Sequence, residues 1–205
     1  MMSCMSRGRG QDKICSRLFC FFAIAIIAAN FITGCGGKNF AGLRSGIESR
    51  GHYIEGVPFY RQSESTCGPA ALASVLAFWG RQVNLEEVTA KVYLPKLRGT
   101  LPMDMENYAR EAGFKTESSA GTLQELKVYI RKGIPIICLL DLGFGIYQRP
   151  HYVTVIGFDD MNEVIIEHDG VTQNSVVTYE KFRKAWTRAG SWMLTIVPQA
   201  GDSHP

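Results

Sequence analysis

The spacing of apolar residues divides the chain into an N-terminal apolar run, a helical first half and a strand-rich second half. From Cys67 to Gly80 apolar residues recur every three or four positions, the period of a helix with a buried face. Pro69 suits the first turn of this helix. Three more amphipathic stretches follow, at residues 85–92, 103–112 and 122–131. In the last, Thr122 and Glu125 form a capping box.

After Gly133 the pattern changes to short apolar and β-branched runs, which are typical of strands. The predicted strands are residues 134–140, 152–158, 164–167, 175–178 and 192–197, with a helix at 179–187. Residues 159–162 are typical of a hairpin turn, and residues 57–60 predict an edge strand, which tolerates Pro58. Because helices precede strands, we expect an α+β fold whose N-terminal helical part packs on an antiparallel sheet.

The first 34 residues have the pattern of a signal peptide. Scattered cations precede an apolar run at residues 18–31, and about 14 residues are too few to span a bilayer comfortably. The next residues, Ile32-Thr33-Gly34-Cys35, resemble the lipobox of bacterial lipoproteins, in which Cys35 carries the lipid and becomes the first residue. An uncleaved membrane anchor and a buried helix are the alternatives. A lipid on Cys35 would hold the protein in the cell envelope. An Asp after the lipidated cysteine often signals retention in the inner membrane, and Gly36 stands there instead, which favours the outer membrane facing the periplasm.

The rest of the chain is expected to contain a tether at residues 35–51, one domain at 52–198 and a tail at 199–205. The tether is rich in Gly, Ser, Arg and Lys and has little periodicity. A chain of 205 residues that is 46% hydrophobic and 20% charged suits one globular domain with additional non-globular sequence. The net charge of +3 is small, so nucleic acid is not an expected partner.

Two of the six cysteines are expected to stay unmodified in the domain. The other four leave with the signal peptide or carry the lipid, namely Cys4, Cys15, Cys20 and Cys35. Cys138 lies in an apolar run that predicts a buried strand. Cys67 begins a helix, where the partial positive charge of the helix end stabilises the thiolate that a nucleophilic cysteine requires. Gly68 would leave room for a substrate carbonyl. The alternatives are a small buried Cys67 and a disulfide between Cys67 and Cys138.

Three further residues complete a candidate catalytic site. His151 opens a predicted strand and could act as a base. Asp169 ends the next strand and would lie beside His151 if the two strands pair, where it could orient the ring. Gln62 could direct its amide at the oxyanion together with the Cys67 N–H. Each also has an ordinary explanation: a half-buried histidine, a turn-forming aspartate before Gly170, and an exposed glutamine.

The ordered set of these residues resembles the C39-like peptidases, relatives of the domain that removes bacteriocin leader peptides at a double glycine. The segments that carry the resemblance are residues 57–62, Cys67-Gly68-Pro69-Ala70-Ala71-Leu72, His151-Tyr152-Val153 and Asp169. It covers roughly residues 56–198. It implies a papain-like fold with Cys67 as nucleophile, His151 as base, Asp169 as the orienting residue and Gln62 as oxyanion donor.

The sequence also departs from the transporter-linked members of that family. It contains no phosphate-binding loop, so no ATP site is expected in this chain. In those enzymes the acid usually precedes a proline, whereas Gly170 follows Asp169 here. Asp159 and Asp160 are the nearest substitutes, although turn residues are expected to be solvated. His168 should face away from Asp169 and is expected at the surface or in a supporting position.

The expected function is cleavage of an extracytoplasmic peptide or protein by a membrane-anchored cysteine peptidase. Neither Cys-x-x-Cys nor His-x-x-x-His occurs in the sequence, so no metal or other cofactor is expected. The same chemistry would permit acyl transfer to another amine, or hydrolysis of a non-peptide amide. The alternatives are an inactive peptidase-like module that binds a peptide or secretion partner, and a purely structural lipoprotein.

Overall fold

A computed structural model describes residues 39–62 and 65–199, and these residues form an antiparallel sheet with helices on both faces. In chain order the elements are α1 (Phe40–Arg44), a 3₁₀ turn (Ile47–Ser49), β1 (Gly51–Tyr53), α2 (Cys67–Phe78), α3 (Leu85–Val92), α4 (Pro102–Glu111), β2 (Phe114–Ala120), α5 (Leu123–Arg131), β3 (Ile136–Asp141), β4 (Pro150–Asp159), β5 (Val164–His168), β6 (Ser175–Thr178), α6 (Tyr179–Arg188) and β7 (Trp192–Pro198). The predicted α+β class is confirmed. Within the described ranges, no helix is long and apolar enough to cross a membrane.

The seven described strands have the order β2-β7-β3-β4-β5-β6, with β1 paired to the far end of β4. Every strand pair is antiparallel. Alternation along the strands produces two apolar cores. Tyr152 and Ile137 pack with α2, α3 and α4 on one face. Cys138 and Val153 pack with α5 and α6 on the other.

This arrangement separates the two cysteines of the domain. Cys67 packs against the core of the α2 face, whereas Cys138 is fully buried in the core of the opposite face. Both are free thiols. The sheet between them therefore excludes the disulfide alternative.

The predicted helices agree with α2 to α6 within one or two residues at each end, and the capping box of Thr122 and Glu125 is present. One predicted strand is absent, and two observed strands, β1 and β2, were not predicted. Residues 57–60 form no strand, because the Val57 carbonyl accepts a hydrogen bond from the His168 side chain instead of joining a ladder. Strand β2 was missed because its sequence, FKTESSA, is mostly polar, as is typical of an edge strand.

The tether prediction is wrong for residues 39–51, which fold onto the domain. Asn39 caps α1 by accepting a hydrogen bond from the Gly42 N–H. Leu43 and Ile47 are only 5% and 3% exposed. Two apolar residues spaced four apart are enough to anchor two short turns but too few to produce a recognisable period. Residues 35–38 and the predicted signal peptide lie outside the described part of the chain.

Arg50 fixes this N-terminal segment to the end of β4. Its Nε donates to Asp159 Oδ2 at 2.6 Å and its Nη2 donates to the Leu43 carbonyl at 3.0 Å. Asp159 is fully buried, and its carboxylate also accepts two hydrogen bonds from Asn162. The hairpin turn is therefore confirmed, but the expectation that Asp159 is solvated is wrong.

A matched pair of leucine substitutions tests whether residues 39–51 belong to the fold. Leu43→Ala should lower the free energy of unfolding by about 2–4 kcal/mol, because it leaves a cavity in the core. Leu97→Ala, at a position that is 61% exposed, should change it by less than about 0.5 kcal/mol. Urea unfolding measures both, and equal small effects would show that the segment is a tether after all.

Candidate active site

Cys67 is the first residue of α2 and is half-buried. The next nine residues of the helix are buried between the sheet and helices α3 and α4, so the backbone at Cys67 has little freedom to move. The first amides of a helix have no partner within it and carry its partial positive charge. Cys67 is therefore placed where a thiolate or an oxyanion is stabilised.

Gly68 does not have the role that the sequence suggested. A Cβ at this position would lie 2.7 Å from the Cβ of Thr100, so the loop before α4 already fills the space. Gly68 is needed for this close packing, and it leaves no opening for a substrate carbonyl on that side.

A cavity of about 10 Å³ lies beside Cys67, roughly the room that one water molecule needs. Gln62, Thr154, His168 and Gly170 are among the residues that line it. The Gln62 Oε1 and Thr154 Oγ1 atoms are buried without a hydrogen-bond partner among the described residues. The cavity is thus a polar site next to the candidate nucleophile.

Gln62 reaches this cavity through close contact with the loop after β5. Its main-chain N–H donates to the Gly170 carbonyl at 3.0 Å, and its Nε2 donates to the Asp169 carbonyl at 3.2 Å. An amide nitrogen has two hydrogens, so the second can still be directed at an oxyanion. The predicted role of Gln62 is therefore compatible with its position.

Gly170 explains why the proline expected from the family resemblance is absent. Its φ of +81° is in the left-handed region that proline cannot adopt. A Cβ would also lie 2.1 Å from the Gln62 Cδ atom. Glycine is required here by both the backbone conformation and the approach of Gln62.

His151 also contacts the Asp169 carbonyl, with a distance of 2.9 Å from its Nε2 to the oxygen. Successive side chains of a strand leave it on opposite faces of the sheet. Because Tyr152 packs on the α2 face, the His151 side chain leaves β4 on the other face. No hydrogen bond joins His151 to Cys67 within the described residues, and His151 is not among those that line the cavity. The structure thus brings His151 to the Asp169 loop without completing a pair with Cys67.

Burial lowers the pKa of His151, and the charge of Arg149 acts in the same direction. The hydrogen bond to the Asp169 carbonyl and the Asp169 charge oppose this shift. The pKa therefore lies below the usual 6.5 of histidine, and the ring is neutral at pH 7. A neutral imidazole is the form that can accept a proton from a thiol.

Asp169 meets His151 through its main-chain oxygen rather than through its carboxylate. The carboxylate Oδ1 accepts from the main-chain N–H groups of Val171 and Thr172 at 2.8 and 2.6 Å, which builds a tight turn. The predicted pairing of Asp169 with His151 is present, but through a different atom. Asp160 cannot replace it, because it pairs with Lys127 and Arg131 next to the hairpin turn at the other end of β4.

Two ionisable neighbours of Asp169 were not assigned to the site from the sequence. Of the two positions expected for His168, the surface is wrong and the supporting position agrees with the structure, because the side chain is only 4% exposed and lines the Cys67 cavity. Glu167 is 5% exposed, and its Oε2 has no hydrogen-bond partner among the described residues. Burial and, to a lesser extent, the Asp169 charge raise the pKa of Glu167 to about 8. Two adjacent ionisable residues at the end of an otherwise apolar strand were the available signal.

Comparison with known proteins agrees with this fold. A family model described as the Peptidase C39 like family matches residues 54–193. The peptidase domain of Streptococcus ComA, a bifunctional ABC transporter of a quorum sensing pathway, is 24% identical, with a TM-score of 0.56, over 69% of this chain and 97% of that one. A putative C39-like peptidase from Bacillus anthracis is 17% identical, with a TM-score of 0.59, over 73% and 98%.

A third similar structure is a double glycine motif protease from an AMS/PCAT transporter in complex with its leader peptide. It is 22% identical, with a TM-score of 0.59, over 72% of this chain and 95% of that one. Comparison with curated proteins gave no match. At these identities the structural likeness concerns the fold alone.

The raised pKa of Glu167 makes a prediction about stability. Between the ordinary value of 4.5 and about 8, the native state keeps a proton that the unfolded chain loses, so stability falls as pH rises through this window. Glu167→Gln should remove that loss. Its advantage in free energy of unfolding over the parent protein should grow from pH 4.5 to 8, by on the order of 1 kcal/mol per pH unit. Urea unfolding at several pH values measures it, and a pH-independent difference would contradict a buried protonated carboxyl.

Proposed function

Since the chain belongs to the Peptidase C39 like family, we propose that it is a cysteine peptidase in which Cys67 attacks the carbonyl carbon of a peptide bond. One observation carries the proposal. Cys67 begins a buried helix beside a polar cavity, and Gln62, which lines that cavity, shares the Asp169 carbonyl with His151. Nucleophile, oxyanion donor and base thus occupy one end of the sheet.

The proposed reaction follows from the donors and acceptors at this end. Neutral His151 takes the Cys67 proton, and the thiolate attacks the carbonyl carbon. The Cys67 N–H and the second Gln62 amide hydrogen stabilise the oxyanion. His151 then protonates the leaving amine as the C–N bond breaks, and water releases the acyl group from Cys67. Because the Asp169 carbonyl only accepts, the His151 Nε2 carries the ring hydrogen and Nδ1 is the nitrogen that takes the thiol proton. The step requires Nδ1 to come within reach of the Cys67 Sγ, a rearrangement of the kind that substrate binding drives.

We propose an extracytoplasmic peptide or protein as substrate, with the domain held at a membrane by lipid on Cys35. The described fold begins at Asn39, so three residues would join it to Cys35, over a Cα–Cα distance of at most about 14 Å. The loop before β4 carries large apolar side chains that favour a peptide ligand. Phe144 and Ile146 are 90% and 89% exposed, and both lie a few residues before His151 in the sequence. Such residues offer contact area to the side chains of a bound peptide.

An inactive module that binds a peptide is the second candidate. It is favoured by the lack of a hydrogen bond between His151 and Cys67 in the described residues and by the absence of His151 from the lining of the Cys67 cavity. In such a module the Cys67 cavity would be part of a peptide groove with no covalent step.

Alkylation with iodoacetamide distinguishes the two candidates. In a peptidase, Cys67 should react at pH 6–7, and His151→Ala should slow it at least about tenfold because the proton acceptor is lost. Cys138 is an internal control, because burial raises the pKa of its thiol well above the ordinary value. Peptide mapping by mass spectrometry measures each site, while a peptide library tests cleavage against Cys67→Ala. Equal Cys67 rates with and without His151, and no cleavage, would support the binding module.

Substitution of Asp169 tests which of its atoms orients His151. Asparagine keeps the side-chain acceptor of the turn and the main-chain carbonyl, so Asp169→Asn should lower kcat about tenfold or less. Asp169→Ala should lower it further because the turn loses its two hydrogen bonds. A loss of about 10⁴-fold in Asp169→Asn, the size seen when a triad carboxylate holds the ring, would show that the carboxylate replaces the carbonyl during the reaction.

A further inference from the structure

We propose that His168 is a positioning residue of the candidate active site, which ties the segment carrying Gln62 to the loop carrying the Asp169 carbonyl. The inference deepens the proposed cysteine peptidase function and rests on it. His168 touches neither the thiol nor the predicted base by a hydrogen bond among the described residues, so any effect on the reaction would pass through Gln62 and the loop.

Both ring nitrogens of His168 are engaged with main-chain atoms. Nε2 lies 3.0 Å from the Val57 carbonyl oxygen, which can only accept, and Nδ1 lies 3.2 Å from the Asn174 N–H, which can only donate. These partners fix a single arrangement of the ring, with the hydrogen on Nε2 and the lone pair on Nδ1. The Phe59 ring packs edge-on at 5.4 Å between centroids, and the side chain is 4% exposed.

The two partners of His168 belong to the two segments that meet at the site. Val57 precedes Gln62 in an extended stretch without strand hydrogen bonds. Asn174 ends the loop that begins at Asp169. Gln62 then joins the same loop through its bonds to Gly170 and Asp169. Among residues 39–62 and 65–199, His168 is thus one of the hydrogen-bonded attachments between the segment and the loop, and unlike Gln62 it is not one of the proposed reacting groups.

The ring is neutral in this arrangement, because an imidazolium has no acceptor for the Asn174 N–H. Burial lowers the pKa of His168, while the Val57 hydrogen bond and the Asp169 charge oppose the shift. The other ionisable groups nearby are Glu167 on the same strand, and Tyr60, Cys67 and Tyr152 around the cavity. Both bonds are therefore present at neutral pH. As pH falls through a value below 6.5 the Asn174 bond is lost, whereas the bond to Val57, which holds the segment that carries Gln62, remains.

Two conservative substitutions separate the two hydrogen bonds. The amide of His168→Gln reaches the Nε2 position and can still donate to Val57, whereas that of His168→Asn reaches the Nδ1 position and can only serve Asn174. His168→Asn should lower kcat about 10- to 100-fold with little change in KM, since it releases the oxyanion donor. His168→Gln should retain most of the activity. The assay uses a fluorogenic peptide built on a sequence that the wild-type protein cleaves.

The Gln62→Ala background distinguishes positioning from general destabilisation. If His168 acts through Gln62, His168→Asn should cost less than about threefold in kcat once Gln62 is alanine, because the two changes remove the same contribution. Full additivity of the two losses would overturn the proposal, as would wild-type kcat in a folded His168→Asn protein.

Hydrogen exchange tests the link without any catalytic activity, so it separates this inference from the proposed function. His168→Asn should speed exchange at the Gln62 amide at least tenfold, and His168→Gln should leave it within about threefold, at matched thermal stability. If the protein cleaves nothing but this difference appears, the peptidase proposal fails while the link stands. Unchanged Gln62 exchange in His168→Asn would overturn the link, whatever the activity.

Discussion

The main-chain carbonyl oxygen of Asp169 is the atom on which the candidate site depends, because it accepts hydrogen bonds from both Gln62 and His151. These two side chains come from distant parts of the sequence, and no secondary structure joins them. The carbonyl is presented by a tight turn that the Asp169 carboxylate closes. Gly170 permits this turn and makes room for Gln62. One turn thus sets the positions of a predicted oxyanion donor and a predicted base.

The same region contains buried polar groups that do not favour stability. Glu167 keeps a buried oxygen without a partner among the described residues, and Gln62 and Thr154 do the same beside Cys67. Each such atom costs free energy that a well-packed apolar residue would not. Gln62 and Thr154 both line the Cys67 cavity, which is typical of a site in which stability is reduced for function.

The sequence predicted most of the fold because burial on one face leaves a period in the apolar residues. Helices α2 to α5 and the central strands follow that period closely. Strand β2 and the turns around Leu43 and Ile47 have too few apolar residues to show one. At the site, residue types and spacing identified Gln62 and Asp169. The atoms that meet could not be predicted, because they depend on side-chain and turn geometry at Asp169 and on the packing of Thr100 against Gly68.

The course of β4 relates the candidate site to the proposed membrane anchor. Arg50 binds Asp159 at one end of this strand, and His151 lies at the other. Ten strand residues at about 3.3 Å each separate the two ends by about 30 Å. If the chain carries a lipid on Cys35, the attachment would enter the described fold at Asn39 and so through the segment that Arg50 fixes to the Asp159 end of β4. His151, at the opposite end of the strand, would then be far from that attachment, which would leave the His151 end accessible to a peptide.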